Sequence, residues 1–229
     1  MRGIVSIAAT AILAAIMPVQ AFGQMKGTPG TERIGGFANH VDRRPLFTGS
    51  ADAAAAYAAA ASVGRCMVRI SGDGAAELIG GPNTDDEGYR KLGRAMQRRY
   101  TACGDEAGGV PAMVLNYGLA EALVLREDSL DLADRAQDVN VDEAEAFAGV
   151  LDGQVTMDGI ARCLAAYSPG LAHKVVQSEA ASPGETAALE QLYAQSPECG
   201  LSAPPDSIPS VYQRGSLAVA LYQWTHKDG

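Results

Sequence analysis

VPAMVLNYGLAEALV, residues 110–124, decides the fold, because residues 208–222 repeat it as IPSVYQRGSLAVALY. The two blocks align without a gap at a constant offset of 98. Pro111 meets Pro209, Leu119 meets Leu217, Ala120 meets Ala218, Ala122 meets Ala220 and Leu123 meets Leu221. Val110 faces the similar Ile208. In each block a proline precedes a helix-forming run of about 15 residues, the order expected at a helix start.

Further matches lie upstream. Residues 64–73 read GRCMVRISGD and residues 161–170 read ARCLAAYSPG, which places Arg65, Cys66 and Ser71 on Arg162, Cys163 and Ser168. Cys103 follows Cys66 by 37 positions, and Cys199 follows Cys163 by 36. The ordered matches indicate an internal duplication. Its unit of 97 or so residues exceeds the roughly 20–50 of solenoid arrays, so two copies predict a pseudo-symmetric domain.

Each unit reads as helical, and no run of period-2 β-branched residues competes. The first unit opens with an Ala-rich helix from Ala51, in which Cys66 falls at or near the end. A second helix follows from Thr84-Asp85-Asp86-Glu87, a capping box. Tyr89, Leu92, Met96, Tyr100 and Cys103 trace its apolar stripe, so Cys103 is expected to close that helix. In the second unit Ile160, Cys163, Leu164 and Tyr167 share a face. Ser182-Pro183-Gly184-Glu185 then opens a helix with Leu189, Leu192 and Tyr193 inward. Short helical turns are expected to connect these helices near Ala75–Ile79 and Ala172–Val176.

The N-terminus, MRGIVSIAATAILAAIMPVQAFGQ, has the form of a secretory signal. Arg2 is the positive end, Ile4 to Met17 the apolar stretch, and cleavage is expected after Ala21 or Gly23. No later run is long and apolar enough to span a membrane. The expected location is periplasmic or secreted. Four cysteines in an oxidising compartment favour disulfides, and the repeated spacing selects Cys66–Cys103 and Cys163–Cys199 among three connectivities.

The expected organisation is a signal peptide at 1–21, a loose arm at 22–50, a helical unit at 51–126, an acidic linker at 127–152 and a second helical unit at 153–229. The linker carries nine acidic residues against Arg135 alone, with a helix expected near Val141–Val150. Hydrophobic residues make up 47% of the chain, enough for a packed core. A net charge of −9 argues against nucleic acid as a partner, and no basic amphipathic stretch stands out as a binder of anionic membranes.

Motifs for chemistry are sparse. The cysteines lack the Cys-x-x-Cys spacing of redox enzymes, and no paired ligand spacing suggests zinc. The linker spaces its carboxylates by three or four residues, unlike a calcium loop, and reads as a solvated surface. His40, His173 and His226 are the only histidines, and there is no Gly-x-Ser-x-Gly elbow. Gly80-Gly81-Pro82 lacks the lysine and spacing of a phosphate loop. Tyr117, Tyr212, Tyr222 and Trp224 read first as core residues and second as a recognition surface.

An Arg-Cys helix end, a capped helix ending in Cys and a Pro-started LAxAL helix resemble a group of exported, cysteine-paired helical proteins of sphingomonad-type alphaproteobacteria. Members show Cys-Val-Val and Leu-Arg-Gly-x-Leu-Ala-Glu-Ala-Leu-Tyr where this chain has Cys66-Met67-Val68 and Tyr212 to Tyr222. The resemblance spans residues 50–225 or so and implies an exported helical protein, with no activity attached.

The sequence therefore predicts an all-α protein of two disulfide-stapled units with about three main helices each. Its expected role is non-enzymatic binding of a protein or envelope component, without stable membrane insertion. No catalytic, cofactor or metal residue is assigned. The alternatives are a carboxylate-dependent envelope hydrolase, which requires a cleft with two inward Asp or Glu, and an acidic protein responsive to divalent metal through residues 127–152.

Overall fold

A computed structural model describes residues 50–80, 86–104, 109–127, 130–149 and 156–227. The signal peptide, nearly all of the arm, and Thr84 and Asp85 of the first capping box lie outside the described residues. The fold is all-α, with no strand among the described residues. The helices are α1 (Ser50–Ser71), α2 (Asp86–Arg98), α3 (Ala112–Arg126), α4 (Val141–Ala148), α5 (Met157–Tyr167), α6 (Pro169–Gln177), α7 (Pro183–Ala194) and α8 (Ser210–Thr225).

The two LAxAL blocks form the centre. α3 is buried from Ala112 to Val124 except at Met113, and α8 is buried at Val211 and from Gln213 to Leu221. A helix covered on all sides has no strong polar face to lose, which is why these two segments tolerate the middle of the molecule. They pack on each other, with Gly215 against the Tyr117 ring and the Tyr117 hydroxyl 3.2 Å from Ser216 Oγ. α1 lies along α3 and α5 along α8. One continuous core runs through both halves.

α1 and α3 run side by side in the same direction, because Gly64 meets Gly118 and, further along, Gly72 lies beneath Arg126. A methyl group at Gly118 would overlap the Ala60 carbonyl, so the two backbones touch. The Ala-rich character of α1 therefore does more than favour helix: Ala53 and Ala60 share its inward face with Tyr57, Val63 and Met67, and small side chains permit the close approach.

Both disulfides form as the spacing predicts. Cys66 of α1 bonds Cys103, with Cα atoms 5.8 Å apart, and Cys163 of α5 bonds Cys199, at 5.6 Å. Cys103 does not close α2, however. The helix ends at Arg98, Tyr100 N bonds back to the Ala95 carbonyl, and Thr101–Cys103 rewind as a 3-10 turn. That loosened turn aims the thiol at α1 while Tyr100 donates to Ser71 Oγ at 2.7 Å. Cys199 occupies the equivalent 3-10 turn, Pro197–Cys199. Cys66 and Cys163 are likewise not helix ends, since α1 and α5 continue to Ser71 and Tyr167.

Two other expectations change. The turn near Ala172–Val176 is a nine-residue helix, α6, started by Pro169. The linker is more than a solvated surface. Its helix α4 is present, but Leu130 and Leu132 pack on the core. Backbone bonds from Gly170 N to the Ala133 carbonyl and from Ala136 N to the Tyr167 carbonyl strap the linker across the start of α6. Lys174 pairs with Asp134, and Arg135 with Glu198.

Candidate functional site

The residues singled out for chemistry are distributed without converging. His226 pairs with Glu127 at 2.9 Å and stacks on Tyr222, while His173 borders a separate cavity of about 350 Å³ beside Asp134 and Lys174. Desolvation lowers the His173 pKa, and the Glu127 charge opposes that. His40 lies outside the described residues. Tyr117 is buried, and Trp224 packs on Phe147 of α4 with ring centres 5.1 Å apart, so these aromatics hold elements together. Among the described residues no three His, Cys, Asp or Glu side chains group as metal ligands.

What the structure does bring together is a polar cluster inside the core. Arg214 of α8 is 2% exposed. Its Nε donates to Glu121 Oε2 at 2.7 Å, and its Nη1 lies 3.6 Å from Glu185 Oε2. Nη1 and Nη2 donate to the Val175 and Val176 carbonyls, each at 2.6 Å, and Nη1 also reaches Ser178 Oγ. The Tyr57 hydroxyl donates to Glu121 Oε2 at 2.6 Å. One guanidinium thus caps the C-terminus of α6 and joins α3, α7 and α8, with α1 added through Tyr57. Burial alone would lower the Arg214 pKa, but the Glu121 hydrogen bond and the fields of Tyr57, Glu121 and Glu185 outweigh it, and the pKa rises. The Tyr57 pKa is raised well above normal, first by burial and then by the Glu121 charge.

Glu185 carries two roles. As expected from the capping box, Ser182 Oγ accepts from Glu185 N at 3.2 Å, and Glu185 Oε2 accepts from Ala181 N at 3.1 Å. The same carboxylate is fully buried against Arg214. Glu121 and Glu185 are therefore inward carboxylates, but the guanidinium lies between them and pairs with both. They do not face each other across open space, as paired-carboxylate hydrolysis requires.

The cavity that Glu121 borders is the candidate site. It is a groove of about 470 Å³ along the seam of α1 and α3. Ala61, Val68, Ala122 and Leu125 supply apolar surface, and Arg65, Arg69 and Arg126 supply three guanidinium groups. Arg65 and Arg69 are exposed and enter none of the ion pairs among the described residues. Arg126 reaches exposed Asp73 at 2.7 Å, a pair that solvent weakens. Gly72 has φ +56°, and a side chain there would press on the Arg126 guanidinium, so glycine serves both the turn and the groove. The Glu121 carboxylate at the inner edge bonds to Arg214 and the Tyr57 hydroxyl and enters no ion pair with the rim arginines among the described residues.

These groove residues escaped the sequence reading, although a signal existed. Arg65 and Arg69 stand four apart on one helical face, but only tertiary packing sets Arg126 beside them. Comparison with protein-family models, curated proteins and solved structures finds no match for this chain.

Proposed function

We propose that the chain is an exported, non-enzymatic binding protein, periplasmic or secreted, and that the α1–α3 groove takes an amphipathic anion. The observation that carries this reading is the convergence of Arg65, Arg69 and Arg126 on an apolar groove in a chain of net charge −9. Its volume falls in the roughly 300–1,000 Å³ range of small-molecule sites. A carboxylate or phosphate head fits the guanidinium rim, where Arg offers paired donors in a fixed plane. A short aliphatic tail fits the surface of Val68, Ala122 and Leu125. The two disulfides and the absence of a membrane-spanning helix among the described residues suit an oxidising compartment.

The test is titration calorimetry with dodecanoate, and with dodecyltrimethylammonium as the charge-reversed control. Binding of the anion alone is expected, lost in the Arg65→Glu/Arg69→Glu variant with the melting temperature kept. Equal binding of both amphiphiles, or of neither, would sink the reading.

A further inference from the structure

The negative net charge conceals a cationic surface. Eight of the chain's 18 Lys and Arg residues lie between 51 and 126, and five of them, Arg90, Lys91, Arg94, Arg98 and Arg99, fall in ten consecutive positions. α2 buries Tyr89, Leu92 and Met96. At about 100° per residue, Arg90, Lys91, Arg94 and Arg98 cover roughly a 100° arc centred opposite that buried stripe. All four are exposed. α2 is thus a basic amphipathic helix, with its apolar side already taken by the core. Lys91 donates to the Glu77 carbonyl, and none of the ion pairs among the described residues involves Arg90, Lys91, Arg94 or Arg98.

We infer that this face docks the protein on an anionic phospholipid surface. Charge complementarity with lipid phosphates is the first argument, since clusters of this size draw proteins to anionic bilayers. The neighbourhood supplies the second. Arg99 lies beside Gly74, just past the end of α1, and four residues before that glycine Ile70 is 47% exposed, one of the few large aliphatics so exposed among the described residues. A lipid interface accommodates cations and an aliphatic side chain together. Single-stranded nucleic acid would call for exposed aromatic rings on which bases stack, and Tyr89 and Tyr100 are both buried. Because the apolar face of α2 is committed to the core, attachment is peripheral and electrostatic, and salt reverses it. The inference stands on α2 and does not need the groove to be a ligand site.

The test is co-sedimentation of the disulfide-intact chain with vesicles of phosphatidylglycerol and phosphatidylcholine, or of phosphatidylcholine alone. Binding only to the anionic vesicles is expected, reversed by high salt. The Arg90→Glu/Arg94→Glu/Arg98→Glu variant should keep its circular dichroism and melting temperature, since all three side chains are exposed. Its partitioning should fall at least about 100-fold, from roughly fivefold for each lost cation and more for reversal. The Arg65→Glu/Arg69→Glu groove variant should lose dodecanoate binding and still sediment, which separates the two readings. Failure of the wild-type chain to bind anionic vesicles, or undiminished binding by the α2 variant, overturns the inference. So does salt-sensitive self-association lost in that variant without vesicle binding, which would assign the face to the acidic linker of a second copy.

Discussion

Replacing Arg214 by Met should cost more stability than any other single exposed-to-apolar or buried-to-apolar change in the second half. The side chain is 2% exposed, and its removal strands two carboxylates whose side chains are 7% and 0% exposed. It also uncaps the Val175 and Val176 carbonyls at the end of α6. Breaking a buried ion pair from one side costs about 3–5 kcal/mol. Each orphaned carbonyl adds about 1 kcal/mol where water cannot reach it. A loss of about 5–7 kcal/mol is expected near neutral pH. With a urea slope of about 2 kcal/mol per molar, the midpoint should fall by about 2.5–3.5 M. The assay is urea unfolding followed by far-UV circular dichroism with disulfides intact. A control identifies the cause. Adding Glu121→Gln and Glu185→Gln to Arg214→Met should recover a large part of the loss, because no buried charge then lacks its partner. A loss under about 1 kcal/mol, or one indifferent to the added substitutions, would refute a charge-based keystone and leave only packing.

Gly118→Ala should lower stability by about 1–3 kcal/mol in thermal unfolding, because forcing α1 away from α3 outweighs a gain of about 1 kcal/mol in helix propensity. Removing Cys163–Cys199 as a double Ala variant should cost about 4 kcal/mol by urea unfolding, the loop-entropy value for a separation of 36 residues. The chain should also lose stability as pH rises through 10 and above. Burial raises the folded-state pKa of Tyr57, Tyr117, Tyr193 and Tyr212, so the stability these groups contribute is complete below pH 10 and is lost as the unfolded chain releases their protons. Spectrophotometric titration should show these four ionising only with unfolding, and their free ionisation in the folded protein would contradict the burial.

Alignment of the two central helices adds a point about how the cluster is built. At an offset of 98, Glu121 corresponds to Val219 and Arg214 to Asn116. The ion pair that joins α3 to α8 therefore has no counterpart at the matching positions, where Val219 and Asn116 stand. Asn116 meanwhile has its own task, accepting from Gly80 N at 2.9 Å behind the turn that follows α1.

The sequence by itself determined most of the helices and both disulfides, because apolar spacing, Pro starts and repeated Cys intervals are local signals. Ser182 with Pro183 and Glu185 even specified the start of α7 with its hydrogen bonds. The cationic face of α2 was equally present in the spelling YRKLGRAMQRRY, hidden behind a net charge of −9 that averages over the acidic linker. Tertiary structure decided the rest. Nothing near Arg214 in the chain marks it as the partner of Glu121, 93 residues away, or as the cap of α6. Nothing near Arg65 announces Arg126 across the seam. Long-range electrostatic partners and cavities arise from which helix faces meet, and that is set by the packing of Gly64, Gly118 and Gly215 against neighbouring helices rather than by any local motif.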